Sequence, residues 1–329
     1  MRIGLAGGGT DLIDFFNING GQVLNSTIKK YAFSELDFSV KNFTAESNDY
    51  NKKITFSGID FKNEKKVPKE LKLQIAVYKK IIKLFNQDKM INCKLSTSCD
   101  APIGSGLGSS STLVVSMIKV FDEALNLGLD NYMISELAYE IERIDCNLKG
   151  GKQDQYAASF GGLNFIEFGK KNTIVNNIKI KDWFKWELES SLILHFCGLS
   201  RCSSDVIEEQ SNLNNSDKYL KLLKKEANIM KDAFLRCDLN IIKDSLNKSW
   251  ALKSKSSKKV TNKIIEDRIK FGFKNGAEAA KVSGAGGGGF ILFMSKPSQS
   301  VKLLNKLREK SSETFFCNFS DQGVQSWSL

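Results

Sequence analysis

The segment Pro102-Ile103-Gly104-Ser105-Gly106-Leu107-Gly108-Ser109-Ser110-Ser111-Thr112 sets three alternating glycines directly ahead of four hydroxyl side chains. Glycines free the backbone to take positive φ and let its N–H groups come close to a ligand. Leu113, Val114, Met117, Ile118, Phe121 and Leu125 then recur at helical spacing, so the hydroxyls stand where a helix begins. A helix N-terminus carries unpaired N–H groups and about half a unit of positive charge, which suits a phosphate chain. An ordinary Gly/Ser loop capping a core helix is the competing explanation, and the length of this motif favours phosphate. There is no GxxxxGK[ST] sequence, so this is not the common P-loop.

Three more clusters carry chemistry-bearing residues. Near the start, the short strand-like run from Ile3 to Ala6 delivers Gly7-Gly8-Gly9, which presents Thr10 and Asp11 as short polar side chains suited to the hydroxyls of a polyol. Further on, Gly150-Gly151-Lys152-Gln153-Asp154-Gln155 follows Glu142-Arg143. Glu142 shares an i, i+4 row with Ile134 and Ala138, so it borders a buried helix face. A carboxylate there is costly unless it meets a cation such as Mg²⁺, an ordinary lysine ion pair being the alternative. Asp154 on its turn could equally be a helix N-cap. Last, Ser283-Gly284-Ala285-Gly286-Gly287-Gly288-Gly289 contains GxGxxG. A dinucleotide fingerprint must follow a strand and open a helix. Here a helix-like Ala277 to Lys281 precedes it and a strand, Phe290 to Phe293, follows. The match is coincidental, leaving a tight loop beside a nucleotide or substrate, or a plain turn.

The elements that must position these clusters are mixed. Strand patterns fall at Ile3–Ala6, Leu36/Phe38/Val40, Ile54/Phe56, Ile91/Cys93/Leu95, Leu163–Phe168, Leu192–Phe196, Phe290–Phe293 and Thr314–Cys317. Helical periodicity falls at Leu71–Phe85, Leu113–Leu125, Met133–Ile144, Val206–Gln210, Tyr219–Leu235, Lys263–Phe273 and Val301–Leu307. Without a steady βαβ rhythm this predicts α+β layers, not a doubly wound sheet. The polar stretch Gly169 to Trp183 is the expected boundary, dividing 1–175 from 176–329.

Composition narrows the classes. The 329 residues are 41% hydrophobic and 26% charged, ordinary for a soluble globular protein. No apolar run approaches a membrane span, no signal-peptide pattern opens the chain, and the seven cysteines show no CxxC spacing. A cytoplasmic protein with reduced thiols is expected. The net charge of +11 is spread along the chain, its densest runs (Lys62 to Lys72, Lys253 to Lys259) lack interleaved aromatics, and a solvated lysine surface fits better than a nucleic-acid site. The positive field favours anionic substrates. The single histidine, His195, lies inside Leu192-Ile193-Leu194-His195-Phe196 and reads as one polar strand position, which removes Ser-His-Asp and Cys-His chemistry.

Taken together and in this order, the four clusters resemble the GHMP kinases, the superfamily of galactokinase, homoserine kinase, mevalonate kinase and phosphomevalonate kinase. Within it, Gly7-Gly8-Gly9-Thr10-Asp11, Gly151-Lys152-Gln153-Asp154-Gln155 and Gly198-Leu199-Ser200-Arg201 are similar to sugar kinases acting on D-glycero-D-manno-heptose 7-phosphate, with fucokinases as the neighbouring branch. The resemblance implies a two-domain α+β fold with ATP and substrate in the cleft between domains. It implies that Gly104, Ser105, Gly106, Leu107, Gly108, Ser109, Ser110 and Ser111 wrap the ATP phosphates and that Ser110 and Glu142 hold Mg²⁺, Ser109 being the other candidate ligand. Asp154 would be the catalytic base, with Arg2 beside it keeping it ionised and stabilising the transferring phosphoryl group. Thr10, Asp11, Gly151 and Lys152 would meet the sugar, and Gly284, Ala285, Gly286 and Gly287 would line the site from the second domain. Arg201, near Ser203 and Ser204, is the candidate for the substrate's own phosphate.

The expected reaction gives heptose 1,7-bisphosphate for nucleotide-activated heptose and surface polysaccharide. A kinase of an unphosphorylated sugar and a non-catalytic sugar/ATP sensor are the alternatives. Sugar phosphate and ATP are the expected partners, with no nucleic acid and no membrane; the oligomeric state stays open. Family members carry several strand residues before the matching arginine, whereas Arg2 stands next to Met1. Either the first strand is short or the start lies too far downstream.

Overall fold

The structure is a computed structural model and describes residues 1–57, 67–102, 104–198 and 216–328. Twelve strands among them form three four-stranded sheets. The first, in the order β1 (Arg2–Ala6), β2 (Gly21–Thr27), β7 (Leu163–Phe168), β8 (Thr173–Asn177), is antiparallel throughout. The second runs β3 (Ala32–Asp37), β6 (Lys94–Cys99), β4 (Phe43–Ser47), β5 (Lys52–Phe56), with β4 and β6 parallel. The third runs β10 (Ala277–Val282), β11 (Phe290–Ser295), β9 (Leu192–Phe196), β12 (Thr314–Phe316).

In the N-terminal half the helices are α1 (Ile13–Asn19), α2 (Lys72–Phe85), α3 (Ser109–Leu125), α4 (Asn131–Tyr139) and α5 (Gln153–Phe160). The remaining ones are α6 (Asp182–Ser191), α7 (Ser216–Arg236), α8 (Leu239–Lys255), α9 (Lys263–Lys274) and α10 (Pro297–Arg308).

Helix α3 forms as its apolar spacing requires: Leu113, Val114, Met117, Ile118 and Phe121 are all buried, against Phe43, Tyr78 and Leu95 of the second sheet's core. A larger core joins the first and third sheets, with Ile3, Leu5 and Phe165 packed in one cluster with Leu194, Phe234, Phe290 and Leu292. The chain's last stretch crosses between these sheets. Cys317 N–H donates to Leu192, Phe319 bridges to Ile28, Thr27 and Ser320 exchange hydrogen bonds, and Gly323 packs on Ser159.

Several sequence expectations are corrected. Ala277–Lys281 is not helical: it is β10, paired antiparallel with β11. Alanine favours helix locally, but the wholly buried β11 offers a partner strand, and tertiary context overrides propensity. The third strand ends at Asp37 because its carboxylate accepts from Ser39 N–H and turns the chain. Residue 175 falls inside β8, which pairing with β7 holds in the first sheet, so we propose a division after β8. Val206–Gln210 lies outside the described residues. No helix among the described residues is long and apolar enough to cross a membrane.

Candidate active site

The glycine-rich loop joins β6 to α3, and Gly104, Gly106 and Gly108 hold φ of +79°, +81° and +71°, values that favour glycine. Among the described residues no side chain caps α3, whose first turn is Ser109, Ser110 and Ser111, so its N–H groups remain open toward the cavity those serines line. Ser105 and Leu107, expected among the residues that wrap the phosphates, do not line the cavity. Leu107 is buried in the core and accepts from Arg2 N–H, and Ser105 takes Phe290 N–H on its carbonyl. Both anchor the loop from behind.

The second glycine-rich loop joins β10 to β11 and presses on the first. A Cβ on Gly284 would lie 2.7 Å from Gly106 Cα, one on Gly289 would lie 2.2 Å from Ser105 O, and Ser283 Oγ donates to Gly106 O at 2.9 Å. Gly284, Ala285 and Gly286 line the cavity; Gly287 does not, because its N–H is turned onto Val260 O, and Gly288 takes that place.

Both loops line a cavity of about 820 Å³. Arg2 reaches it from the first residue of β1 and is itself 4% exposed, held under Met1, whose buried amine donates to Lys30 O. Its Nε donates to Asp154 Oδ1 at 2.7 Å, Nη2 lies 2.6 Å from the same oxygen, and Nη1 donates to Gly106 O. Asp154 stands in the first turn of α5 and is not its N-cap, a place taken by Lys152. A Cβ on Gly108 would meet Asp154 Cγ at 3.3 Å, so carboxylate and glycine-rich loop are in contact range.

Asp11 is pinned from both sides: Oδ1 accepts from Gly9 N–H at 3.0 Å and Oδ2 from Gln153 N–H at 3.2 Å. Burial, with Asp154 adding to it, raises its pKa above the usual carboxylate value. Gly151 is required beside it, since a Cβ there would lie 2.0 Å from Asp11 Oδ2.

Glu142 is 1% exposed and has no lysine partner among the described residues. Ser110 Oγ donates to its Oε1 at 2.9 Å and Gln155 Nε2 to its Oε2 at 2.5 Å, with Arg143 Nη1 at 3.8 Å. A π-helical turn, Glu140–Asp145, follows α4, a rare geometry often found at functional sites. One carboxylate and one hydroxyl beside the glycine-rich loop match the habits of Mg²⁺, which takes one or two carboxylates and completes its shell with substrate phosphates and water. The donor set therefore fits that ion.

Two expected substrate contacts are corrected. Thr10 is fully buried, its hydroxyl within 2.8 Å of the Gly7 and Gln22 carbonyls and accepting from Gln22 N–H at 3.0 Å. It fastens the turn to β2. Thr10→Val should cost about 1–3 kcal/mol of unfolding free energy by leaving buried backbone groups unpaired, with acceptor KM unchanged, as chemical denaturation and steady-state kinetics would read. Lys152 points away from the cavity, its Nζ 2.8 Å from Glu136 Oε1 and 4.8 Å from the Tyr139 ring centroid. Arg201, Ser203 and Ser204 lie outside the described residues.

The site also contains groups that sequence reasoning missed. Lys253, expected on a solvated surface, is buried on the cavity wall, and Gln155 holds Glu142. Lys69, Lys72, Leu73 and Ala76 of the α2 region also line the cavity, as do Arg143 and Lys149. His195 behaves as expected: Nδ1 meets Thr314 Oγ1 at 2.8 Å, and burial lowers its pKa to about 4, keeping it neutral.

Comparison with known proteins assigns the family. GHMP kinases N terminal domain matches residues 74–162 and GHMP kinases C terminal matches residues 230–313. The D-glycero-alpha-D-manno-heptose 7-phosphate kinase of Campylobacter jejuni is 39% identical over 339 aligned positions, covering 100% of this chain and 97% of that one. The chain belongs to the GHMP kinases. The crystal structure of a D-glycero-D-manno-heptose 1-phosphate kinase from Bacteroides thetaiotaomicron superposes with a TM-score of 0.83 at 33% identity, covering 100% of this chain and 97% of that one. Lactococcus lactis galactokinase, at 19% identity and a TM-score of 0.76 over 98% of this chain and 92% of its own, shares the fold. As a GHMP kinase the protein is a phosphotransferase, and its family takes the phosphoryl group from ATP.

Proposed function

We propose that this kinase transfers the γ-phosphoryl group of ATP to the anomeric hydroxyl of D-glycero-D-manno-heptose 7-phosphate, giving the 1,7-bisphosphate on the route to nucleotide-activated heptose. The observation that carries the reading is the end-to-end likeness to a protein of that name. In this reading the first-turn N–H groups of α3 and the loop backbone bind the ATP phosphates. Glu142 and Ser110 hold Mg²⁺, which neutralises phosphate charge when bound. Asp154 takes the proton from the acceptor hydroxyl, while Arg2 holds and orients that carboxylate. An anomeric hydroxyl is more acidic than an ordinary alcohol, so one carboxylate is a sufficient base. Asp11, fixed by two backbone N–H groups, orients the sugar.

A second acceptor has a specific observation behind it. The name of the Bacteroides relative places the substrate's phosphate at C1, which would move the transfer to another hydroxyl. An ADP-release panel over heptose 7-phosphate, heptose 1-phosphate, fucose and galactose, with the product phosphate located by NMR, separates them. Turnover of heptose 7-phosphate at C1 is expected. Turnover of heptose 1-phosphate or fucose with heptose 7-phosphate ignored would overturn the reading.

A further inference from the structure

Lys253 occupies the last turn of α8, 7% exposed yet on the cavity wall. Its ammonium has three donors, of which one is spent on Gly284 O. Among the described residues no carboxylate lies within ion-pair distance of it. Among the described residues the charged groups facing it are Arg2 from β1, Asp11 from the turn after β1, Asp154 from α5 and Lys281 from β10. A buried ammonium without a contacting counter-ion is costly unless an anion completes it.

Lys281, the other buried lysine here, shows what a purely structural amine looks like. Its Nζ donates to the Gly4 and Leu5 carbonyls, fastening β10 to β1, and it does not line the cavity. Lys253 differs on both counts. Gly284, its one partner among the described residues, is pressed against Gly106 of the first glycine-rich loop, so the amine is held at a fixed place relative to that loop.

We propose that Lys253 is a catalytic residue: its ammonium, together with Arg2, holds the non-bridging oxygens of the phosphoryl group during transfer. The acceptor oxygen forms its bond to phosphorus as the bond from phosphorus to the β,γ-bridging oxygen breaks, and that electron pair leaves with ADP. The acceptor's proton goes to Asp154, and Lys253 keeps its own proton throughout. Burial and Arg2 lower the amine to about 8, still charged at neutral pH and lost above it. The proposal rests on the kinase assignment alone, not on which sugar is the acceptor.

The test uses whichever acceptor the wild-type full-length protein turns over best, so a wrong acceptor and a wrong role for Lys253 give separate results. Lys253→Met should lower kcat by about 10²–10³-fold, the loss typical of one transition-state donor, while Mg-ADP affinity by calorimetry shifts little. Lys253→Arg should recover part of that loss. It should also move the alkaline fall of kcat/KM for ATP, which reports groups of the free enzyme, from near pH 8 to higher pH. If Lys253→Met does not fold, the Lys253→Arg pH profile decides alone. Full kcat in Lys253→Met, or an alkaline limb unmoved in Lys253→Arg, would overturn the proposal.

Discussion

Replacing Asp154 by asparagine is expected to lower kcat by about 10²–10⁴-fold, the range for removing a general base, while ATP binds as before. The asparagine keeps the shape that contacts Gly108 and can still accept a hydrogen bond from Arg2 Nε, but it cannot take a proton. Arg2 would remain nearly buried and lose its counter-charge, so some stability should go with the rate. Thermal unfolding of the variant separates that loss from the chemistry. Asp11→Asn serves as the contrast: in its proposed role that carboxylate orients and does not abstract, so acceptor KM should rise more than kcat falls. A kcat for Asp154→Asn near that of the wild type would remove it from the base role.

Glu142→Gln should raise the Mg²⁺ concentration needed for half-maximal rate by more than the ~10–100-fold typical of losing an outer-shell partner. The substitution conserves volume at a site 1% exposed but removes the charge that draws the ion. Gln155→Ala should fall within that same range of about 10–100-fold, since Gln155 holds Glu142 Oε2 and is not one of the proposed metal ligands. A Mg²⁺ titration at fixed ATP reads both, and the ordering matters as much as the size. Equal half-saturation in Glu142→Gln and wild type would mean the carboxylate serves only to hold Ser110.

Much of this geometry was legible in the chain. The runs Leu163–Phe168 and Leu192–Phe196 match β7 and β9 because both are apolar enough to be buried on two sides. The phosphate loop was legible because its φ values leave so few residue types possible. The rest depended on neighbours far along the chain. Thr10 next to Asp11 reads as a polar pair facing one ligand, and only the return of Gln22 shows that its hydroxyl is spent inside the turn. Lys253 opens a lysine run that looks solvated, and its burial comes from the packing of α8 beneath the second glycine loop. Gln155 lay in plain view beside Asp154, but nothing local says that it reaches a carboxylate thirteen positions back.

The crossing of the final stretch onto the first sheet has a consequence for how the molecule is made. Thr27 and Ser320 are 293 positions apart, and Gly161 and Gly162 are covered by residues 320–323. A chain emerging from the ribosome N-terminus first can assemble β1, β2 and β7 early, but their outer corner stays bare until residues 320–323 have been synthesised. Contacts between residues so distant in sequence also slow the closing step. Completion of the N-terminal sheet is thus a late event in the life of each molecule, with that corner open to solvent, chaperones and other nascent chains until then.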